Sequence, residues 1–194
     1  MLVAMRLILA SSSPRRQELL RQAGYEFEVR PSSVPEEHVV GETPEDFVRR
    51  LATAKALQVA AGSPTGSVVL GADTVVVVRG EILGKPLDAE DASRMLSMLS
   101  GRAHQVVTGV CLVRAPDRMV AVKHAATRVR FRRLDEAEIR DYVASGEPAD
   151  KAGAYAIQGR ASRFVTRIAG CYFNVVGLPI SLVDELLRST RTAT

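Results

Sequence analysis

Aromatic residues are scarce in this chain: tryptophan is absent, and aromatic residues make up only 5% of the 194 residues. Proteins that bind single-stranded nucleic acid typically stack bases on aromatic side chains set among basic ones. The sequence offers no such platform, although its net charge of +4 favours anionic partners. We therefore do not expect nucleic acid as the partner.

Cysteine and histidine are also few. Cys111 and Cys171 are the only cysteines and lie in apolar, strand-like segments, where a reduced cysteine is more common than a disulfide or a metal ligand. The three histidines, His38, His104 and His124, have no spacing typical of metal binding. The sequence therefore argues against a zinc site.

Long hydrophobic runs, linkers and repeats are missing as well. No segment is apolar enough to span a membrane, and the start, residues 1–6, lacks the apolar stretch and cleavage site of a signal peptide. With 46% hydrophobic and 25% charged residues, the chain has the balance of a globular protein. We expect one cytoplasmic domain over residues 1–194.

The two common phosphate-binding loops, G-x-x-x-x-G-K-[ST] and G-x-G-x-x-G, do not occur. Kinases and dinucleotide-dependent oxidoreductases are thus poorly supported.

Strands and helices alternate along the sequence, and a long hairpin is expected between His104 and Arg133. Ser13, Thr43, Asp88 and Asp135 are expected to cap helices. A hairpin cannot belong to a purely parallel sheet, so the pattern predicts an α/β fold with a mixed, twisted sheet flanked by helices. A short strand is also expected within residues 6–10, and another near Val175–Val176. The other expected strands are Glu26–Arg30, Val68–Val78, Ile82–Leu83 and Phe164–Ile168.

Two arginines stand where a helix tolerates cations least. Pro14 opens a helix after a serine turn, and Arg15 and Arg16 follow in its first turn. The free N–H groups there disfavour a cation by roughly 0.3–1 kcal/mol. A phosphate bound by the serine hydroxyls, the N–H groups and a guanidinium would reverse that sign. The alternative is that both arginines point into solvent.

One carboxylate, Asp73, lies within the almost wholly apolar run from Val68 to Val78. An unpaired buried carboxylate is costly, so Asp73 needs a cation, a metal or several donors beside it. Lys55 falls on the apolar stripe of its helix, and Lys85 follows the hairpin turn that would fold it back towards Asp73. A simple buried ion pair with one lysine is the alternative to a functional site.

Two lysines are more than one aspartate requires, whereas a triphosphate and a divalent ion would use both. With Arg15, Arg16 and an acid from the pair Glu36 and Glu37, they supply what metal-assisted phosphoryl chemistry needs. Gln158, in a later glycine-punctuated loop, has an amide that can both donate to and accept from a pyrimidine base. A loose loop without a ligand is the alternative there.

Ten short motifs occur in order between about residue 7 and residue 188. Together they resemble the Maf family of nucleoside triphosphate pyrophosphatases. The motifs are Ser11–Arg16, Leu51–Ala52 with Lys55–Ala56, Gly71–Thr74, Gly84–Pro86, Ser100–Gly101 with His104, Val107–Val110, Gly146–Pro148, Asp150–Tyr155, Ile157–Gly159 and Val175–Pro179.

The resemblance implies a single α/β domain with an elongated mixed sheet and a central cleft, akin to inosine triphosphatase, and often a homodimer. It also implies cleavage of a nucleoside triphosphate between the α and β phosphates, with a divalent cation such as Mg²⁺ or Mn²⁺. The expected products are a nucleoside monophosphate and pyrophosphate.

The resemblance also assigns roles to residues. Asp73 would accept the proton of the attacking water and lie near the metal. Lys55 and Lys85 would take part in catalysis by holding phosphates, together with Ser11, Ser13 and Arg16. Members of the family usually have an acid before the glutamate that Glu36 matches, but Pro35 stands there. Glu36 and Glu37 therefore remain alternatives for the metal-side carboxylate.

Three further residues are similar to those of the branch that acts on dTTP and UTP: Arg15, Thr74 and Gln158. The alternatives are specificity for 7-methyl-GTP, or a regulator of septum formation that binds nucleotides or nucleic acid without catalysis.

Overall fold

The computed structural model describes residues 6–192. The expectation that residues 1–6 are not a signal peptide therefore falls almost wholly outside the described residues. No described helix combines the length and the apolar character needed to cross a membrane. The strands are β1 (Leu7–Leu9), β2 (Glu28–Val29), β3 (Val68–Val78), β4 (Glu81–Leu83), β5 (Ala103–Arg114), β6 (Arg118–Phe131) and β7 (Val165–Ala169). The α-helices are α1 (Pro14–Gln22), α2 (Pro44–Ala61), α3 (Ala89–Leu99), α4 (Glu136–Ala144), α5 (Tyr172–Val176) and α6 (Ile180–Thr192). Three short 3₁₀ turns cover Glu147–Asp150, Ala152–Ala154 and Arg160–Phe164.

Within residues 6–192, seven strands form one sheet in the order β2-β1-β3-β5-β6-β7, and β4 pairs with β3. β1 runs parallel to both β2 and β3, whereas β4 is antiparallel to β3 and β7 is antiparallel to β6. β5 and β6 are neighbours joined by residues 115–117, a connection too short for parallel strands. The predicted mixed α/β sheet is thus confirmed.

The chain divides into two compact units. The first comprises the described residues up to Asp73, Thr108–Ala125 and those from Gly177 onward, and the second comprises Thr74–Val107 and Ala126–Val176. β3, β5 and β6 contribute residues to both units. The expectation of one domain over residues 1–194 stays a prediction.

The expected helix caps are all present. Ser13, Thr43, Asp88 and Asp135 each precede the first turn of a helix and accept a hydrogen bond from a backbone N–H three residues later. Since these side chains satisfy N–H groups that have no partner inside the helix, they fix where α1, α2, α3 and α4 begin.

One predicted strand is wrong: Val175 and Val176 belong to helix α5. Two β-branched residues favour a strand by propensity, but local contacts override it. The side-chain amide of Asn174 donates to the carbonyl of Val106 and to the hydroxyl of Thr127. Asn174 is fully buried. These bonds hold the segment as a helical turn against the neighbouring strands.

In the first unit, helix α2 packs unusually closely against two strands. A Cβ atom added to Gly71 of β3 would lie 2.2 Å from the carbonyl oxygen of Ala52, and one added to Gly109 of β5 would lie 2.2 Å from that of Val48. The buried face of α2 includes Val48, Leu51, Ala52 and Val59, with Lys55 among them. The two glycines therefore set how closely this face approaches β3 and β5.

We predict that Gly71→Ala lowers the free energy of unfolding by about 2 kcal/mol, because the added methyl overlaps the backbone of α2. Gly62→Ala is the matched control, since a Cβ there meets no atom within 4 Å. Urea unfolding of both variants measures the difference. Equal stability of the two variants would contradict the close approach.

Candidate active site

The centre of the candidate site is the ammonium of Lys55. Its Nζ donates to Asp73 Oδ1 at 2.6 Å and to Glu36 Oε1 at 2.6 Å. Lys55 and Asp73 are only 7% and 5% exposed, whereas the Glu36 side chain is half exposed. Asp73 therefore has the cation that its apolar strand predicted.

Local structure explains why these groups meet. Lys55 lies on the buried face of α2, one turn after Ala52, which packs against Gly71 of β3. Asp73 follows Gly71 by two residues on β3, and alternate side chains of a strand share a face. The close approach of α2 to β3 thus brings the ammonium to the carboxylate.

Burial raises the pKa of the Asp73 carboxyl above its ordinary value, while the Lys55 ammonium and the Arg16 guanidinium act in the opposite direction. The nearby Glu36 carboxylate adds to the increase. A carboxylate whose pKa is raised is a stronger base than an exposed aspartate. Asp73 is thereby suited to accept a proton from water.

The structure separates the two acids that the sequence left as alternatives. The carboxylate of Glu36 contacts Lys55, whereas Glu37 is exposed and accepts from Arg50 through its backbone carbonyl. Of the two acids, Glu36 is therefore the one whose carboxylate contacts Lys55, the residue that pairs with Asp73.

Arg16 joins three parts of the first unit. Its guanidinium donates to the carbonyls of Ala72 and Gly177, each at 2.9 Å, and to the hydroxyl of Ser11 at 3.3 Å. Burial lowers the pKa of Arg16, although the Asp73 and Glu36 carboxylates oppose this change. Arg16 does not point into solvent, and its role as a phosphate ligand stays a prediction. The two carbonyl acceptors could not be predicted from the sequence, because every residue supplies a backbone carbonyl.

The serine turn before α1 is ordered by its own hydroxyls. Ser11 is buried and its Oγ accepts from the backbone N–H of Ser13, whose own hydroxyl caps the helix through the N–H of Arg16. The first turn of α1 contains no acidic residue. The role of this turn as a phosphate site, which the sequence favours, stays a prediction.

The remaining predicted residues lie at the following places. Arg15 is half-buried in the first turn of α1, and Thr74 is half-buried directly after Asp73 on β3. In the second unit, Lys85 is exposed two residues beyond the end of β4, and Gln158 is exposed in the loop before the last 3₁₀ turn. Their assigned roles stay predictions.

Sequence reasoning missed two residues of the second unit that hydrogen-bond the loop of Gln158. Tyr142 and Glu147 bind its backbone N–H groups. The only available signal was the Gly146–Pro148 motif, to which no role was attached.

The donor set fits a divalent cation completed by substrate. Among residues 6–192, no group of three or more His, Cys, Asp or Glu side chains is placed to hold a metal. Glu36 and Asp73 nevertheless offer two carboxylates to one ammonium. Mg²⁺ usually binds one or two carboxylates together with substrate phosphates and water, so two acids suffice. Carboxylate oxygens are ligands that suit Mg²⁺ and Mn²⁺.

Comparison with known proteins identifies relatives along nearly the whole chain. The family model described as Maf-like protein matches residues 6–190. The dTTP/UTP pyrophosphatase of Symbiobacterium thermophilum is 55% identical over 181 residues, which cover 93% of this chain and 92% of that protein. The dTTP/UTP pyrophosphatase of Anaeromyxobacter sp. (strain Fw109-5) is 55% identical over 189 residues, 96% and 90% of the two chains.

Two solved structures share the fold at low identity. The Ham1 protein of Staphylococcus aureus is 15% identical with a TM-score of 0.56, covering 95% of this chain and 99% of that one. A HAM1 protein from Coxiella burnetii is 18% identical with a TM-score of 0.52, covering 96% and 100%. Similarity at this level shows the fold alone, whereas the family model and the close relatives decide the family. The chain belongs to the Maf family.

Proposed function

We propose that this protein is a nucleoside triphosphate pyrophosphatase that hydrolyses dTTP and UTP to the nucleoside monophosphate and pyrophosphate. Relatives named dTTP/UTP pyrophosphatase are 55% identical over more than 90% of this chain. The observation that carries the chemistry is the buried ammonium of Lys55, which bonds to both Asp73 and Glu36. A protein that only binds nucleotides has no use for a buried base.

In the proposed reaction, Asp73 accepts a proton from the water that attacks the triphosphate. The anhydride bond between the α and β phosphates breaks, and pyrophosphate leaves with the bridging oxygen. Burial, which raises the pKa of Asp73, makes it a better base. Lys55 holds the Asp73 carboxylate in place and offers positive charge to the phosphates. Lys85 keeps the role that the family resemblance implies.

Glu36 and Asp73 are the residues that would hold a divalent cation, Mg²⁺ or Mn²⁺, together with the phosphates. When bound, such a cation neutralises the charge that develops on the phosphate oxygens. Ser11, Ser13 and the start of α1 supply hydroxyl and N–H donors for the same phosphates, and Arg16 fixes this turn to the carbonyl before Asp73.

Base selection is assigned to Arg15, Thr74 and Gln158, the three residues similar to those of the dTTP/UTP branch. A homodimer in the cytoplasm is part of the same proposal. No observation on the described residues favours 7-methyl-GTP or a purely regulatory role. A panel of nucleoside triphosphates assayed for pyrophosphate release tests the substrate class, with 7-methyl-GTP included.

We predict that Asp73→Asn lowers kcat for pyrophosphate release from dTTP by about 10²–10⁴-fold, because the amide cannot accept the proton. Asp117→Asn, in the exposed connection between β5 and β6, is the control and keeps the activity of the unaltered protein. Steady-state release of pyrophosphate measures both. Normal turnover by Asp73→Asn would show that another group is the base.

The metal assignment predicts unequal effects of two neighbouring acids. Chelation by EDTA should abolish activity, and added Mg²⁺ or Mn²⁺ should restore it. Glu36→Gln should raise the metal concentration for half-maximal activity by roughly tenfold or more, since it removes one ligand charge. Glu37→Gln should change this concentration little, because its carboxylate is exposed and Glu36 is the acid that bonds to Lys55. Equal effects of the two variants would contradict the choice of Glu36.

A further inference from the structure

The loop that carries Gln158 contains a tight turn. The backbone N–H of Gly159 donates to the carbonyl of Ala156 at 3.0 Å, so residues 156–159 form a turn with Ile157 and Gln158 at its centre. Ile157 is 7% exposed, whereas Gln158 is exposed. The buried Ile157 side chain therefore anchors the turn, while the Gln158 side chain is exposed and accessible to a ligand.

Both ends of this turn are held by one pair of side chains. The hydroxyl of Tyr142 accepts from the N–H of Ala156 at 3.1 Å, and Glu147 Oε2 accepts from the N–H of Arg160 at 3.0 Å. Tyr142 and Glu147 are themselves joined, since the tyrosine hydroxyl donates to Glu147 Oε1 at 2.7 Å. The pair thus clamps the residues on each side of Gln158.

Tyr142 is a rigid part of this clamp. Its side chain is fully buried and packs edge-on against Phe164, with 5.2 Å between ring centroids. Burial and the neighbouring Glu147 carboxylate raise the pKa of Tyr142, so its hydroxyl stays protonated and donates. A hydroxyl that donates to one partner and accepts from another has a fixed orientation.

Glu147 contributes an acceptor with a full negative charge. Burial alone would raise the pKa of Glu147, but hydrogen bonds from the N–H groups of Arg160 and Ala161 and from Tyr142 outweigh it and lower this pKa. The carboxylate also lies directly under the turn: a Cβ atom on Gly159 would be 2.4 Å from Oε1. Glycine at this position lets the charged acceptor reach both the turn and Tyr142.

A further anchor lies just before the turn. The hydroxyl of Tyr155 is 3.0 Å from His104 Nε2, and both rings pack edge-on against Phe131. Burial lowers the pKa of His104 to about 4, so the ring is neutral near neutral pH. His104 thus packs inside the second unit, and its contact with Tyr155 holds the backbone that enters the turn.

We propose that Tyr142 and Glu147 are positioning residues that set base selectivity by holding Gln158 in one orientation. The inference rests on the proposed function, in which Gln158 contacts the pyrimidine. A side-chain amide discriminates between bases only when its donor and acceptor face the right way. A turn clamped at both ends loses little further freedom when it meets a ligand, so the selectivity costs little affinity.

The test compares two conservative variants. Tyr142→Phe keeps the ring and its packing on Phe164 but removes the hydroxyl, and Glu147→Gln keeps the size but weakens the acceptor. In each variant, the ratio of kcat/KM for UTP to that for CTP should fall by about tenfold, mainly through KM, as it should in Gln158→Ala. Steady-state kinetics with both nucleotides measures this ratio.

Glu138→Gln is the matched control. Glu138 is also a carboxylate of the second unit and lies on α4 with Tyr142, but it pairs with Arg132 instead of bonding to the backbone of the turn. Its loss should lower the melting temperature and leave the UTP/CTP ratio unchanged. A fall in this ratio in the control would mean that general destabilisation causes the effect, and it would overturn the inference.

Double variants decide whether the clamp acts through Gln158. Adding Tyr142→Phe or Glu147→Gln to Gln158→Ala should cause no further loss of selectivity, because coupled residues are not additive. A further tenfold loss, or an unchanged ratio in both single variants, would overturn the inference. Should Glu147→Gln fail to fold, Tyr142→Phe alone decides, since it preserves the buried ring.

The failure of the proposed function is distinguishable from the failure of this inference. An unaltered protein that releases no pyrophosphate from UTP or dTTP would refute the function. The positioning role would then be decided by binding, as the ratio of the dissociation constants of UTP and CTP in the same variants. An unchanged binding ratio would refute the clamp.

Discussion

The buried ion pair between Lys55 and Asp73 is the interaction on which the rest of the site depends. Removing either partner from such a pair leaves an unpaired charge away from water, which is strongly destabilising. The pair exists because α2 lies against β3 at Gly71, where a side chain would overlap the helix backbone. Packing of the first unit and placement of the proposed base are thus one constraint.

Charge of both signs is concentrated around this pair. Lys55 bonds to Asp73 and to the half-exposed Glu36, while Arg16 bonds to the carbonyl of Ala72, next to Asp73. Two cations beside two acids are more than a structural ion pair needs. Because these charges cancel one another, our proposal assigns the cations to the phosphates and the acids to a divalent cation.

The sequence predicted partners for charged side chains that lie among apolar residues. Asp73 in an apolar strand and Lys55 on an apolar helix stripe each required a partner, and the structure pairs them. Contacts that depend on the backbone or on the tertiary structure could not be predicted in this way. Arg16 donates to backbone carbonyls, which every residue has, and the choice of Glu36 over Glu37 depends on the conformation of a loop. Val175 follows its neighbours into a helix despite its strand propensity.

The most direct test of the account is a titration of the Asp73 carboxyl by NMR, in the unaltered protein and in Lys55→Met. We predict a pKa above the ordinary aspartate value of about 3.9 in the unaltered protein, because burial outweighs the attraction of the cations. In Lys55→Met this pKa should rise further, since the opposing charge is gone. A pKa at or below the ordinary value, or one that does not change without Lys55, would contradict the claim that burial raises the pKa of Asp73 against the opposing charge of Lys55.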